Sequence, residues 1–213
     1  MIKSFGSSSK GNSILVGDIL LDAGVSPNKI KARPRAVFIT HRHQDHMKYI
    51  QQWQKRGVRC YSGEIEDSAF GKRINAWDVV MVGNAKIQAL PSLHDTENPL
   101  NFLIDIDNKR ILYEVDNAKR IYEVKGVTHY IAECNWDEQS LQDNIGGGYV
   151  SRFEEPRLRS THKSLEILVE ELETMDKSKL EEIWLAHMSD RNLNKALAKR
   201  VIQERTGVLV KFA

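Results

Sequence analysis

The chain has almost no cysteine, little proline and no long apolar run, and each shortage closes a class of protein. Its two cysteines, Cys60 and Cys134, stand far apart with no CxxC spacing. Neither a disulfide framework nor a cysteine zinc knuckle fits that usage, and a reducing cytoplasm is the expected compartment. Five prolines in 213 residues leave no Pro-rich linker, and no repeat or low-complexity tract divides the chain. The opening Met1-Ile2-Lys3-Ser4-Phe5-Gly6 lacks the apolar stretch of a secretory signal. Apolar runs are strand length, far short of the roughly 20 residues that span a bilayer, so no membrane partner is expected. An excess of one charge is missing too. With 31 Lys+Arg against 29 Asp+Glu the net charge is +2, which neither demands nor excludes nucleic acid. Local basic clusters do occur, at residues 29–35 and 152–163, where a solvated surface and a phosphate track are equally compatible readings.

What the chain does contain is an ordinary core. Hydrophobic residues make up 41% and charged residues 28%, which suits a globular domain that needs no staples. Strand candidates are Ser13 to Val16, Ile19 to Leu21, Val37 to Thr40, Val79 to Val82, Lys86 to Leu90, Phe102 to Ile106, Ile111 to Val115, Val127 to Ala132, Ile183 to Leu185 and Val208 to Phe212. The Gly/Ser-rich segment from Gly6 to Asn12 reads as a tight loop between two strands, and Asp107-Asn108 as a hairpin turn. Lys48 to Arg56 is expected to be helical. So is a later segment in which Leu165, Leu168, Val169, Leu172 and Met175 share one face, with Ser160 or Thr161 as its cap. The last helix carries Leu193, Leu197, Val201 and Ile202, with Asn192 expected to cap it and Gly207 to end it. Strands early and helices late suggest layered sheets covered by helices. The four tryptophans, Trp53, Trp77, Trp136 and Trp184, are expected in the core or at its rim.

The segment that carries chemistry is Thr40-His41-Arg42-His43-Gln44-Asp45-His46. A chance match to HxHxDH in a chain of this composition is roughly a one-in-a-thousand event. His41 and His43 share a side of extended chain, and Asp45 and His46 follow as the chain turns. Imidazole and carboxylate suit zinc, and also iron or manganese. One turn cannot fill two metal shells, so remote partners are expected. His94, Asp116 and His187 each stand where an apolar strand runs out into a loop, the place where sites on sheet scaffolds collect. His129 alternates as an ordinary strand residue and is left out.

This pattern resembles the metallo-β-lactamase superfamily. Leu20-Leu21-Asp22-Ala23-Gly24, then HxHxDH, then His94, Asp116 and His187 follow that family's order across residues 20 to 187. The resemblance implies an α+β fold, a four-layer αββα sandwich of two mixed β-sheets, as one hydrolase domain over residues 1–213. It implies two divalent metal ions, zinc first, with manganese or iron as alternatives. His41, His43 and His94 would hold the first metal; Asp45, His46 and His187 the second; Asp116 would bridge them. Asp22 would order the loops of the site. Metal-bound hydroxide would be the nucleophile, with Asp45 orienting it or accepting its proton.

Within the superfamily, no cysteine stands at the Asp116 position, which argues against a β-lactamase. Only Leu193 to Ala213 follow the last motif, so the added helical domain of glyoxalase-II-like enzymes is not expected. Ser160-Thr161-His162-Lys163-Ser164 is similar to the histidine motif of ribonuclease Z-type phosphodiesterases, with His162 at a helix start where free N–H groups favour phosphate. Phe5 to Asn12 and Ile131 to Asp137 resemble segments of small WalJ-type, exonuclease-like members. Thr161 departs from them, since they carry glycine there. A phosphodiesterase or nuclease acting on nucleic acid or another phosphodiester is the first expectation, with His162 catalytic beside Asp45. A small-molecule hydrolase (lactonase, thioesterase or cyclic-nucleotide esterase) on the same metals is the alternative, and a non-catalytic sensor the third.

Overall fold

A computed structural model describes residues 2–213, and its strand pairing shows why the short apolar runs persist. The first sheet holds β1 (Ile2–Gly6), β2 (Ser13–Val16), β3 (Ile19–Leu21), β4 (Ala36–Ile39), β5 (Arg59–Ser62) and β6 (Gly71–Arg73) in chain order. β1 to β3 pair antiparallel and β3 to β6 parallel. The second sheet holds β7 (Val79–Val82), β8 (Ala85–Pro91), β9 (Leu100–Ile106), β10 (Lys109–Glu114), β11 (His129–Glu133), β12 (Glu182–Ala186) and β13 (Leu209–Phe212). β7, β8 and β9 are antiparallel neighbours, whereas β10 to β13 are parallel. Two mixed sheets with helices are the α+β class expected. Asp107 and Asn108 have φ of 48° and 61°, the pair of left-handed centres that a two-residue turn requires.

The chain divides into two compact units. The first runs through Pro91 and takes in Thr96–Asn108 and Ala213; the second comprises Ser92–Asp95 and Lys109–Phe212. In the first unit, β4 is buried along its whole length, as a parallel strand covered on both faces must be. Val37 and Ile39 pack with Leu20, Ile50, Trp53 and Cys60. On the opposite face Phe38 stacks on Tyr61 at 4.7 Å and meets Phe102 edge-on at 5.5 Å. The helix expected at 48–56 is present as α2 (Ile50–Lys55), and a separate short helix not expected, α1 (Gln44–Met47), precedes it within the histidine segment. The break has a cause: the Asp45 carbonyl accepts from Asn12 N, and Tyr49 N donates to Ala23 O, so the helical bond between them is not made.

The second unit carries α3 (Glu138–Gly146), α4 (Glu154–Thr161), α5 (Leu165–Thr174) and α6 (Lys195–Thr206). Leu165, Leu168, Leu172 and Met175 are buried along α5, as their spacing predicts. Its cap is Ser164, whose Oγ accepts from Ile167 N, and not Ser160 or Thr161, which lie in the last turn of α4. Asn194 likewise replaces Asn192 as the cap of α6, while Gly207 ends that helix at φ 69° as expected. Strands β5 and β6 and helices α3 and α4 were not legible from periodicity. Trp53 and Trp136 are buried, but Trp77 is 56% exposed with φ 75°, contrary to the packing expected of it. Among the described residues no helix is long and apolar enough to cross a membrane.

Candidate metal centre

In the first unit the residues HxHxDH sit where buried β4 ends and α1 begins, so the strand fixes one end of the turn and the helix the other. His41 Nε2 and His43 Nδ1 lie 2.9 Å apart, and the His41 ring centroid is 4.2 Å from that of His46. Asp22, fully buried, accepts at Oδ1 from Thr40 N (2.8 Å) and Thr40 Oγ1 (3.0 Å), and at Oδ2 from His46 Nδ1 (2.8 Å). This fixes the His46 tautomer with its proton on Nδ1, so Nε2 is the acceptor nitrogen. Asn12, from the Gly/Ser-rich loop, reaches Asp45 Oδ2 at 3.2 Å and His46 Nε2 at 2.9 Å. The loop strand, the LLDAG segment and the histidine turn are thus brought together in one place.

In the second unit, His94, Asp116, His162 and His187 converge with Glu133, a residue of the Ile131 to Asp137 segment to which no role was assigned. This carboxylate ends β11 fully buried. It lies 2.8 Å from His162 Nδ1 and 3.1 Å from His187 Nδ1, and accepts from Asn117 N at 3.1 Å. Asp116 Oδ1 is 3.0 Å from His162 Nδ1 and 3.4 Å from His187 Nδ1. The His162 and His187 rings stack at 5.3 Å. His94 Nδ1 donates to Thr161 O at 3.0 Å, and its Nε2 lies 3.3 Å from Asp95 Oδ1. Asn135 Nδ2 donates to His187 O at 2.8 Å and holds the loop after β12. The signal for Glu133 was present: like Asp116 and His187 it stands where an apolar strand runs out.

His162 is the C-cap of α4 in extended conformation, two residues before the Ser164 cap of α5. It is therefore not at a helix N-terminus, as expected, but in the joint between two helices. Lys163, counted above in a basic cluster, is no surface charge. It is fully buried, with Nζ 2.7 Å from Glu171 Oε2 and 3.3 Å from Glu114 Oε2. Arg120 and the Tyr130 hydroxyl complete that network at Glu114. The network pins the backbone beside His162 from behind.

The electrostatics follow from burial and from charge. Burial alone would lower the His162 pKa, but the Glu133 and Asp116 carboxylates outweigh it and raise it to about 10. Burial would raise the Glu133 carboxyl; the His162 charge and hydrogen bonds from His162 and His187 bring it down to about 2. His94 is lowered, chiefly by burial. Three of the non-glycine residues with positive φ are Asp22 (61°), Asp116 (48°) and His187 (47°). Such strain persists where the surroundings over-determine it, which is typical of functional sites. Asp116, Glu133, His162 and His187 each offer a ligand atom, all within 4.8 Å of one another. Buried imidazole and carboxylate with no thiolate fit zinc, iron or manganese.

No protein-family model matches the chain, and no curated protein matches its sequence. Solved structures do match it. The metallo-β-lactamase fold protein YhfI from Bacillus subtilis is 15% identical with a TM-score of 0.70, covering 100% of this chain and 95% of that one. Zn(2+)-bound PqqB from Methylobacterium extorquens is 14% identical at a TM-score of 0.71, covering 100% and 97%. A diphosphatase of the PhnP family is 14% identical at 0.68, covering 100% and 93%. At these identities the likeness establishes the fold: the chain has the metallo-β-lactamase fold.

Proposed function

We propose that this chain of metallo-β-lactamase fold is a dinuclear metal-dependent phosphodiesterase whose physiological substrate is a nucleic acid. The observation that carries this reading is His162, held at Nδ1 by Glu133 and Asp116 and stacked on His187. A histidine anchored through one nitrogen presents the other, Nε2, to a substrate oxygen. There it can bind a non-bridging phosphate oxygen or donate a proton to the leaving alkoxide. A lactone also expels an alkoxide, but it has no non-bridging phosphoryl oxygens for such a donor to hold. A diphosphatase among the structural neighbours adds support for phosphoryl chemistry.

His41, His43 and His94 are proposed to hold one metal ion and Asp45, His46 and His187 the other, with Asp116 bridging. When bound, two such ions lower the pKa of water from 15.7 to about 7 and offset charge on the phosphoryl group. The rest falls to the chain. Asp22 and Asn12 hold His46 and Asp45 in place, and Asp45 would orient the water or take its proton. Glu133 keeps two imidazoles oriented.

The discriminating experiment compares a phosphodiester with a lactone on the same preparations. His162→Ala should lower kcat by about 100-fold or more for a phosphodiester with an alkoxide leaving group, such as a thymidine dinucleotide, and far less for bis(p-nitrophenyl) phosphate, whose nitrophenolate leaves without a proton. A lactonase reading requires the opposite: lactone turnover in the wild type, kept in the variant, with phosphodiester turnover absent.

A further inference from the structure

We propose that the loop between α3 and α4 is a stacking platform for the bases of a single-stranded nucleic acid, laid along α4 toward His162. The proposal rests on the phosphodiesterase reading and names the form of its substrate.

Tyr149 is 70% exposed and Phe153 is 94% exposed. A ring so exposed adds nothing to the core, yet the backbone beneath both is tightly fixed. Gly148 turns the chain at φ 74°, and Tyr149 N and Val150 N both donate to Asn144 O, at 2.8 and 3.2 Å. Val150, between the rings in sequence, is buried against Trp136 and Leu141. Ser151 and Glu154 form a reciprocal capping box: Glu154 N donates to Ser151 Oγ at 3.1 Å and Ser151 N to Glu154 Oε2 at 2.9 Å. The Tyr149 ring lies over Gly147, close enough that a Cβ there would be 3.0 Å from it. One face of that ring is thus seated by the loop's own backbone. Rings presented outward on a fixed frame bind without an ordering cost.

Charge favours a polyanion. Glu138 and Glu155 are taken by Arg159, and Glu154 by its capping role. Arg152, between the rings in sequence, is exposed and makes no ion pair among the described residues, while Arg191, beside Tyr149, acts on the Glu154 carboxylate. Farther along α4, Arg157 is 2.8 Å from Asp95, the neighbour of His94. Phe153 and His162 flank α4 nine residues apart, a rise of about 13.5 Å at ~1.5 Å each. About four stacked bases at ~3.4 Å cover the same length. Arg152 separates the two rings in sequence, so the segment carries no continuous apolar run of the kind that marks a protein-docking or membrane face. Duplex bases are stacked already and gain nothing from such rings; single-stranded bases do.

The test uses the metal-free full chain, so that binding is read without cleavage. Anisotropy of labelled dT12 and U12 is measured for wild type, Tyr149→Ala, Phe153→Ala, the double variant and Phe153→Trp. The expected result is a rise in Kd of about ten-fold for each ring lost and about a hundred-fold for both, with Phe153→Trp near wild type and Tm unchanged. Equal Kd in wild type and double variant overturns the platform. So does loss of binding to anionic phospholipid vesicles, with oligonucleotide binding unaffected, which would make this a membrane face. Failure of the underlying reading looks different: ring-dependent binding, with no cleavage of either oligonucleotide by the metal-loaded chain, refutes the nuclease and keeps the platform.

Discussion

Asp22→Asn isolates one job of one buried atom. Thr40 N and Thr40 Oγ1 both donate to Asp22 Oδ1, so the oxygen of an asparagine amide must take that position. Its NH2 then faces His46 Nδ1, where Asp22 Oδ2 accepts at 2.8 Å in the native chain. Two donors cannot face each other, so Nδ1 must give up its proton and the ring must carry it on Nε2 instead. A protonated Nε2 cannot ligate a metal. Replacing one hydrogen bond to a charged acceptor by a neutral one costs about 1–2 kcal/mol, against a total stability of roughly 5–15 kcal/mol, so the variant stays folded. Loss of the partner that orients a ligand histidine weakens metal binding by about 10–100-fold, or ~1.4–2.7 kcal/mol. The assay is zinc content after dialysis against graded chelator, alongside nitrogen-15 NMR of the His46 ring. One zinc held as in wild type and a second lost at lower chelator concentration is the expected pattern. Two zinc ions retained with wild-type affinity would refute the tautomer reasoning.

Three further outcomes follow from the packing. A Cβ on Gly24 would lie 1.7 Å from the Asp45 carbonyl oxygen and 2.6 Å from Asn12 N, both backbone atoms that cannot yield. Gly24→Ala should therefore cost more than about 4 kcal/mol, read as a loss of Tm in the metal-free chain. Burial pushes the Cys60 thiol up to about 12 and the Cys134 thiol higher, so both are neutral in the folded chain. Neither should react with a disulfide reagent at pH 8 until denaturant is added. Because the folded Cys60 keeps a proton that the unfolded thiol releases near 9, stability should decline as pH rises from about 9 toward 12.

The parts of this molecule that could be read in advance are those with local causes. HxHxDH is visible because its residues lie within one turn, and β2, β3 and β7 match their expected bounds because short apolar runs between turn residues leave little choice. What escaped depends on tertiary contacts. Glu133 looks like any strand-end acid until His162 and His187 are placed beside it. Lys163 reads as one more surface cation until Glu171 and Glu114 are found around it in the interior. Helix α4 has a weak apolar pattern and a proline in its first turn, so its eight residues were absorbed into the approach to α5 and the cap was misplaced. The short α1 and its break from α2 arise from Asn12 and Ala23, which are more than 20 residues away in sequence.

Metal-dependent cleavage of bis(p-nitrophenyl) phosphate, by wild type and Asp45→Ala reconstituted with zinc or manganese, is the most direct test of a two-metal phosphodiesterase. Turnover that requires added metal and disappears in Asp45→Ala is the expected result. A wild-type chain that binds two metal ions and leaves the phosphodiester intact would contradict it.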